Sequence, residues 1–158
     1  MLDAFTEHLR ASLTSMRAEL VPLDEELALV GHYLRLMQLR MGERLTFSIE
    51  ATAQARGVLV PPLLLQPMVE NAIRHGLERQ VEPGRVQVVA RVVADQLHLS
   101  VQDDGIGLNT AQPSKGSGVA TQNIRERLHG RYGRRATFTL ESASPKGTRA
   151  TIDLPIVP

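Results

Sequence analysis

The stretch that decides the fold is residues 61–76, PPLLLQPMVENAIRHG. Two prolines precede a regular apolar pattern and a glycine follows it, which predicts a helix over residues 63–75 that ends at Gly76. The apolar side chains recur at helical spacing and can face a sheet; they are Leu64, Leu65, Met68, Val69, Ala72 and Ile73. The polar residues Glu70, Asn71, Arg74 and His75 then share the opposite side of this helix.

This polar side combines a carboxylate, an amide oxygen, a guanidinium and an imidazole on one helix. Such a surface can hold a hard cation and phosphate groups together. Taken alone, it is explained better as a solvated helix face with an ion pair between Glu70 and Arg74. The functional interpretation therefore needs support from other segments.

The chain downstream of residue 44 alternates in the manner of β-strands. Apolar and β-branched runs predict strands over residues 45–49, 85–93, 97–102, 137–142 and 148–154. Residues 121–131 have helical spacing. This order predicts the α+β class, as a two-layer sandwich in which helices cover one face of a sheet.

The chain upstream of residue 44 is helical in pattern, with one helix over residues 2–20 and a second beginning near Pro22. One stripe of the second helix has heptad spacing, formed by Leu23, Leu27, Val30, Leu34, Met37 and Met41. Another stripe comprises Leu29, Tyr33, Leu36 and Leu39. Burial in one core and a dimer interface both explain a helix that is apolar on two sides. We place a domain boundary here, between a helical segment (1–43) and a second domain (44–158).

The composition excludes several function classes. The 18 Lys and Arg against 17 Asp and Glu give a formal charge of +1, too balanced to favour nucleic acid as a partner. The absence of cysteine excludes disulfides, thiolate zinc sites and cysteine nucleophiles, and fits a reducing compartment. The sequence has neither an apolar run long enough to span a bilayer nor a recognisable secretion signal, so we expect a cytoplasmic chain.

Two glycine-containing segments follow the first helix of the second domain. Residues 101–107, VQDDGIG, run from a strand into a loop, where Asp103 can accept a hydrogen bond from an exocyclic amine and the glycines admit a flat ligand. Residues 115–124, KGSGVATQNI, open a helix whose amides attract phosphate, with Lys115 adding charge. Taken alone, residues 101–107 can be explained as a surface turn, and residues 115–124 as a flexible connection.

In this order and spacing, the three segments resemble the ATP-binding domain shared by sensor histidine kinases, HSP90-type chaperones, DNA gyrase B and MutL, the Bergerat or GHKL fold. Glu70-Asn71-Ala72 is similar to its N box and Asp103-x-Gly105-x-Gly107 to its first glycine box. Gly116-x-Gly118 is similar to its second glycine box, and Gly147-Thr148 to its closing strand. Within that superfamily, the chain from Val21 onward most resembles the LytS/YehU type of sensor histidine kinase.

The resemblance implies ATP and Mg2+ as cofactors and gives roles to individual residues. Asn71 would ligate Mg2+, and Glu70 would orient or deprotonate the attacking group. Asp103 would accept a hydrogen bond from the adenine amino group. The other ATP-binding residues that the resemblance implies are Arg74, His75, Gly105, Gly107, Lys115, Gly116, Gly118 and Thr148.

The resemblance also implies a function in a two-component system. The chain would be a catalytic domain that transfers the γ-phosphoryl group of ATP to a histidine, for relay to a response regulator. A Pro-His-Phe-x-x-Asn acceptor motif is absent. We therefore expect the acceptor on a helix outside this fragment, in the same or a partner chain, with this fragment as the cytoplasmic part of a membrane-anchored sensor. A homodimer formed through the N-terminal helices is a further expectation.

One departure from the family pattern keeps alternatives open. Ala120 and Thr121 stand where the second glycine box has Gly-Leu, a change that would stiffen the loop or weaken triphosphate binding. A degenerate module that senses nucleotide or dimerises is one alternative to the kinase. A GHKL ATPase in which Glu70 activates water is another.

Overall fold

A five-stranded sheet dominates the computed structural model. The structure describes residues 20–78, 80–106, 117–143 and 145–156. For residues 117–120 it describes the backbone alone. The elements in chain order are β1 (Val21–Pro22), α1 (Leu23–Met41), β2 (Leu45–Ala51), α2 (Ala53–Arg56), β3 (Leu59–Val60), α3 (Gln66–Asn71, continued by a wider helical turn over Ala72–Leu77), β4 (Gly84–Val93), β5 (Gln96–Asp103), α4 (Ser117–Tyr132), β6 (Thr137–Ser142) and β7 (Thr148–Pro155). Within these residues, no helix has both the length and the apolar character needed to cross a bilayer.

The sheet has the strand order β2-β4-β5-β7-β6. Strands β2 and β4 run parallel, and every other neighbouring pair is antiparallel. Strand β5 pairs along its length with β4 on one side and β7 on the other, so its last residue, Asp103, stands between Val86 and Thr148. A separate two-stranded pair joins β1 to β3, with Val21 opposite Val60.

One face of the sheet carries the hydrophobic core. In β5 the alternate residues Leu97, Leu99 and Val101 are at most 2% exposed. Helices α1, α3 and α4 contribute to the same core, and α4 does so through Ile124, Leu128 and Tyr132, which are four residues apart. The predicted two-layer α+β sandwich is therefore confirmed, and each of the five predicted strands lies within two residues of its observed bounds.

The heptad stripe of α1 faces this core. Leu23, Leu27, Val30 and Leu34 are at most 3% exposed and belong to the same cluster as the sheet. On the second stripe Leu29 is 2% exposed, Tyr33 and Leu36 are half-buried, and Leu39 is 67% exposed. The helix predicted over residues 2–20 lies outside the described residues. The core thus extends across residue 44, and the division into segments 1–43 and 44–158 stays a prediction.

The start and end of α3 differ from the prediction of a helix over residues 63–75. Leu63 has a φ of +56°, which is incompatible with a right-handed helix, and α3 begins at Gln66. At the other end the helix widens: the Glu78 N–H donates to the Ile73 carbonyl five residues earlier. Gly76 is therefore inside the helical segment instead of ending it.

Candidate functional site

The polar side of α3 is the first part of the site. Along this segment Met68, Val69, Ala72, Ile73 and Leu77 are buried, whereas Glu70, Asn71 and His75 are half-buried and Arg74 is exposed. The predicted division of the helix into apolar and polar sides is confirmed. The polar side carries all four site residues predicted on this helix.

A glutamine that sequence analysis did not single out orients Glu70. Gln66 is 6% exposed and lies one helical turn earlier on the same side, and its Nε2 donates to Glu70 Oε1 at 3.1 Å. On the neighbouring helix α1, Tyr33 lies near the same carboxylate. Burial, followed by the charges of Glu70 and Glu78, raises the pKa of Tyr33 to about 12.

Asp103 is the second part of the site. It ends β5 and is 5% exposed, and its Oδ1 accepts a hydrogen bond from the Gly105 N–H at 2.9 Å. The Thr148 N–H of the paired strand β7 also donates to this carboxylate. Burial raises the pKa of Asp103 from 3.8 to about 6; the charge of Asp104 adds to the rise and the two backbone donors oppose it.

Gly76 and Gly105 let α3 and the end of β5 come together. A Cβ on Gly76 would stand 2.6 Å from Asp103 Oδ1, and a Cβ on Gly105 would overlap the Gly76 carbonyl group. The Ile106 N–H donates to the Gly76 carbonyl at 3.3 Å. The first glycine box thus touches the helix that carries the N box through backbone atoms.

A third glycine, Gly147, admits the closing strand to the same place. Its φ is +103°, and a Cβ there would overlap the carbonyl oxygen of Asp103. The next residue, Thr148, is the one whose N–H reaches the Asp103 carboxylate. Only a glycine at position 147 lets β7 approach β5 in this register.

The two adjacent acids have different roles. Asp104 Oδ1 accepts the Arg85 N–H at 2.7 Å, and the Asp104 N–H donates to the Arg85 carbonyl at 3.3 Å. This exchange closes the β4–β5 pair beyond its last regular residue. Asp104 therefore fixes the strand end, while the Asp103 carboxylate beside it accepts from the Gly105 and Thr148 N–H groups.

The structure brings Glu70, Asn71, Arg74, His75, Asp103, Gly105 and Thr148 to one end of the sheet and the adjoining helix. The predicted site residues Gly107, Lys115 and Gly116 lie outside the described residues. Gly118 is in the first turn of α4. The roles of Gly76 and Gly147 were not predicted, because a glycine's need for close approach depends on contacts with residues distant in sequence.

Comparison with known proteins gives this arrangement a family. Residues 62–158 match the profile described as "Histidine kinase-, DNA gyrase B-, and HSP90-like ATPase", and residues 1–45 match a histidine kinase profile. The chain is 31% identical over 157 residues to the sensor histidine kinase YesM of Bacillus subtilis, covering 98% of this chain and 27% of that protein. It is 34% identical over 146 residues to the sensor histidine kinase/phosphatase LytS of Staphylococcus aureus (strain MRSA252), covering 85% and 25%.

Solved structures share the fold. The histidine kinase domain of the Erythrobacter litoralis EL346 blue-light activated histidine kinase superposes with a TM-score of 0.66 at 23% identity, over 98% of this chain and 74% of that one. The chain spans about a quarter of the length of the relatives named above. These matches confirm the resemblance to LytS-type sensor histidine kinases. With more than half of its length inside the ATPase profile, this chain belongs to the family of histidine kinase-, DNA gyrase B- and HSP90-like ATPases.

Proposed function

We propose that this chain is the ATP-binding catalytic domain of a two-component sensor histidine kinase. In this proposal it binds ATP with Mg2+ and donates the γ-phosphoryl group to a histidine on a helix of the same or a partner chain. A response regulator then receives the phosphoryl group. The reaction places the domain in the cytoplasm, where ATP is available, as part of a larger sensor.

The observation that carries the proposal is the convergence of two other segments on Asp103. Gly76 near the end of the N-box helix and Gly147 before the closing strand each approach this residue within the space that a Cβ would fill, and Gly105, two residues after Asp103, packs in the same way against Gly76. A carboxylate that is 5% exposed at a strand end is a strong and directional acceptor. Its position supports a role in accepting a hydrogen bond from the adenine amino group.

The polar side of α3 supports a role in binding the phosphates. Asn71 offers an amide oxygen, a ligand type that Mg2+ accepts, and Glu70 beside it is held by Gln66. No cluster of three acidic or histidine side chains forms a metal cage among the residues that the structure describes. A Mg2+ ion here would take its remaining ligands from phosphate oxygens and water, as it commonly does in nucleotide sites.

The remaining predicted residues complete the proposed site. Arg74 is exposed and can neutralise phosphate charge, and His75 follows it on the same side. The roles of Gly107, Lys115, Gly116 and Gly118 in the phosphate loop, and of Thr148 beside the adenine, stay predictions. We propose the homodimer through the N-terminal helices as the arrangement that brings the acceptor histidine to the nucleotide.

The adenine contact can be tested with Asp103→Asn, which keeps the shape of the side chain but removes the anionic acceptor. ATP at about 100 times its dissociation constant stabilises a protein by roughly 2.7 kcal/mol, or roughly 5 to 11 °C at this chain length. We expect this shift, enhanced by Mg2+, in the native chain and its loss in Asp103→Asn, measured by thermal denaturation. Asp104→Asn is the matched control and should keep the shift; equal shifts in the two variants would reject the contact.

Asp103 should also make stability depend on pH. Because its pKa is higher in the folded state, about 6 against 3.8, folding favours the protonated form. Its contribution to stability is therefore complete below pH 3.8 and is lost as the pH rises through about 6. The unfolding free energy of Asp103→Asn minus that of the native chain should therefore increase by roughly 2 to 3 kcal/mol from pH 4 to pH 8. Urea denaturation at both pH values measures the gain, and a constant difference would contradict it.

Phosphoryl transfer can be separated from hydrolysis with γ-labelled ATP. We expect the isolated chain to bind ATP yet gain no acid-labile label, because the acceptor histidine is proposed to lie elsewhere. Substantial acid-labile label on the chain would place the acceptor within it. Sustained phosphate release that Glu70→Gln abolishes and Glu78→Gln preserves would favour the ATPase alternative.

A further inference from the structure

We propose that Glu26 and Arg127 are positioning residues, which set the orientation of the N-box helix α3 by holding the turn at residues 62–65. This inference rests on the proposed nucleotide site, because it concerns the placement of Glu70 and Asn71. It assigns a role in the site to one residue on α1 and one on α4.

Glu26 binds the amide side of the 62–65 turn. It is only 1% exposed, and its carboxylate accepts hydrogen bonds from the N–H groups of Leu63 (3.1 Å), Leu64 (2.8 Å) and Leu65 (3.3 Å). Backbone N–H groups at the start of a helix have no partner within that helix, and a carboxylate there also interacts favourably with the helix dipole. Of the three donors, Leu65 is the residue immediately before α3, whereas Leu63 and Leu64 belong to the turn that precedes it. A buried carboxylate of α1 therefore holds the backbone that leads into α3.

Arg127 binds the carbonyl side of the same turn. One guanidinium nitrogen donates to the Leu63 carbonyl at 2.8 Å and the other donates to the Pro62 carbonyl. Between these contacts Leu63 has a φ of +56°, a conformation that residues other than glycine adopt only when their surroundings hold them there. The planar fork of arginine suits two neighbouring carbonyl groups, and lysine cannot reproduce it.

The turn is well placed to control the phosphate side of the site. The α-helical part of α3 has only six residues before the helix widens, so the turn that precedes it contributes to fixing its direction. Asn71 follows Leu65 by six residues, about 9 Å along a helix axis. Asp103, in contrast, belongs to the sheet and contacts neither Glu26 nor the turn in any hydrogen bond described above. A displaced turn should therefore change Mg2+ and phosphate binding more than adenine binding.

The test is the affinity for ATP in Glu26→Gln and Arg127→Lys, measured by calorimetry with Mg2+ and with EDTA. Measurements are made where circular dichroism shows each variant to be folded. We expect the Mg2+ enhancement of affinity to fall five- to tenfold in both variants, while the affinity in EDTA stays within twofold of the native value. A substitution that only lowers stability does not alter the ratio of the affinity with Mg2+ to the affinity with EDTA in folded protein.

Each variant has a matched control on its own helix. Glu25→Gln changes the exposed neighbour of Glu26. Arg125→Lys changes an arginine of α4 that donates to the Phe138 carbonyl at 2.9 Å and stacks over the Phe138 ring, away from the turn. Both controls should keep the native Mg2+ enhancement.

The outcomes separate this proposal from the nucleotide site itself. A native chain that does not bind ATP, or binds it as well after Asp103→Asn, rejects the site and the positioning role with it. If the native chain binds ATP and Asp103→Asn abolishes binding, an unchanged Mg2+ enhancement in the two variants rejects the positioning role alone. Native binding without any Mg2+ enhancement also rejects that role. Should Glu26→Gln fail to fold, Arg127→Lys decides, because Arg127 is an exposed side chain.

Discussion

The burial of the Asp103 carboxylate at the end of β5 is the constraint on which the rest of the site depends. A charge that is 5% exposed is costly to desolvate, which the pKa of about 6 reflects, and the N–H groups of Gly105 and Thr148 compensate for part of this cost. Those donors come within reach because Gly76 and Gly147 leave no side chain in the way. A buried carboxylate with a raised pKa is a feature that binding sites often show.

The N-box helix is held at both of its ends by different kinds of interaction. At its start, the charged side chains of Glu26 and Arg127 hold a turn that contains the strained residue Leu63. Near its end, Gly76 meets the loop after β5 through backbone contact and a hydrogen bond from Ile106. Glu70 and Asn71 lie between these fixed points, so a short helix presents its polar side in one defined direction. Positions fixed in this way suit the binding of a metal ion and phosphates.

Sequence patterns predicted the elements that depend on local alternation, and missed features that depend on distant contacts. Strands such as β6 were predicted to the residue because each alternates and is bounded by turn residues. The predicted ends of α3 were wrong because both depend on distant residues. The Leu63 N–H donates to Glu26, 37 residues earlier, and Gly76 packs closely against Asp103. The heptad stripe of α1 was ambiguous, since periodicity shows that a helix has an apolar partner but not which one. The candidate site residues came from motifs, whereas Gln66, which donates a hydrogen bond to Glu70, has no signal in the nearby sequence.

The most direct measurement is a crystal structure of this chain with Mg2+ and a non-hydrolysable ATP analogue. The account predicts the adenine amino nitrogen about 2.9 Å from an Asp103 carboxylate oxygen. It also predicts Mg2+ about 2.1 Å from the Asn71 amide oxygen, with phosphate oxygens completing the coordination. An analogue bound elsewhere on the chain, or bound here with Asp103 facing solvent and Asn71 away from the metal, would contradict it.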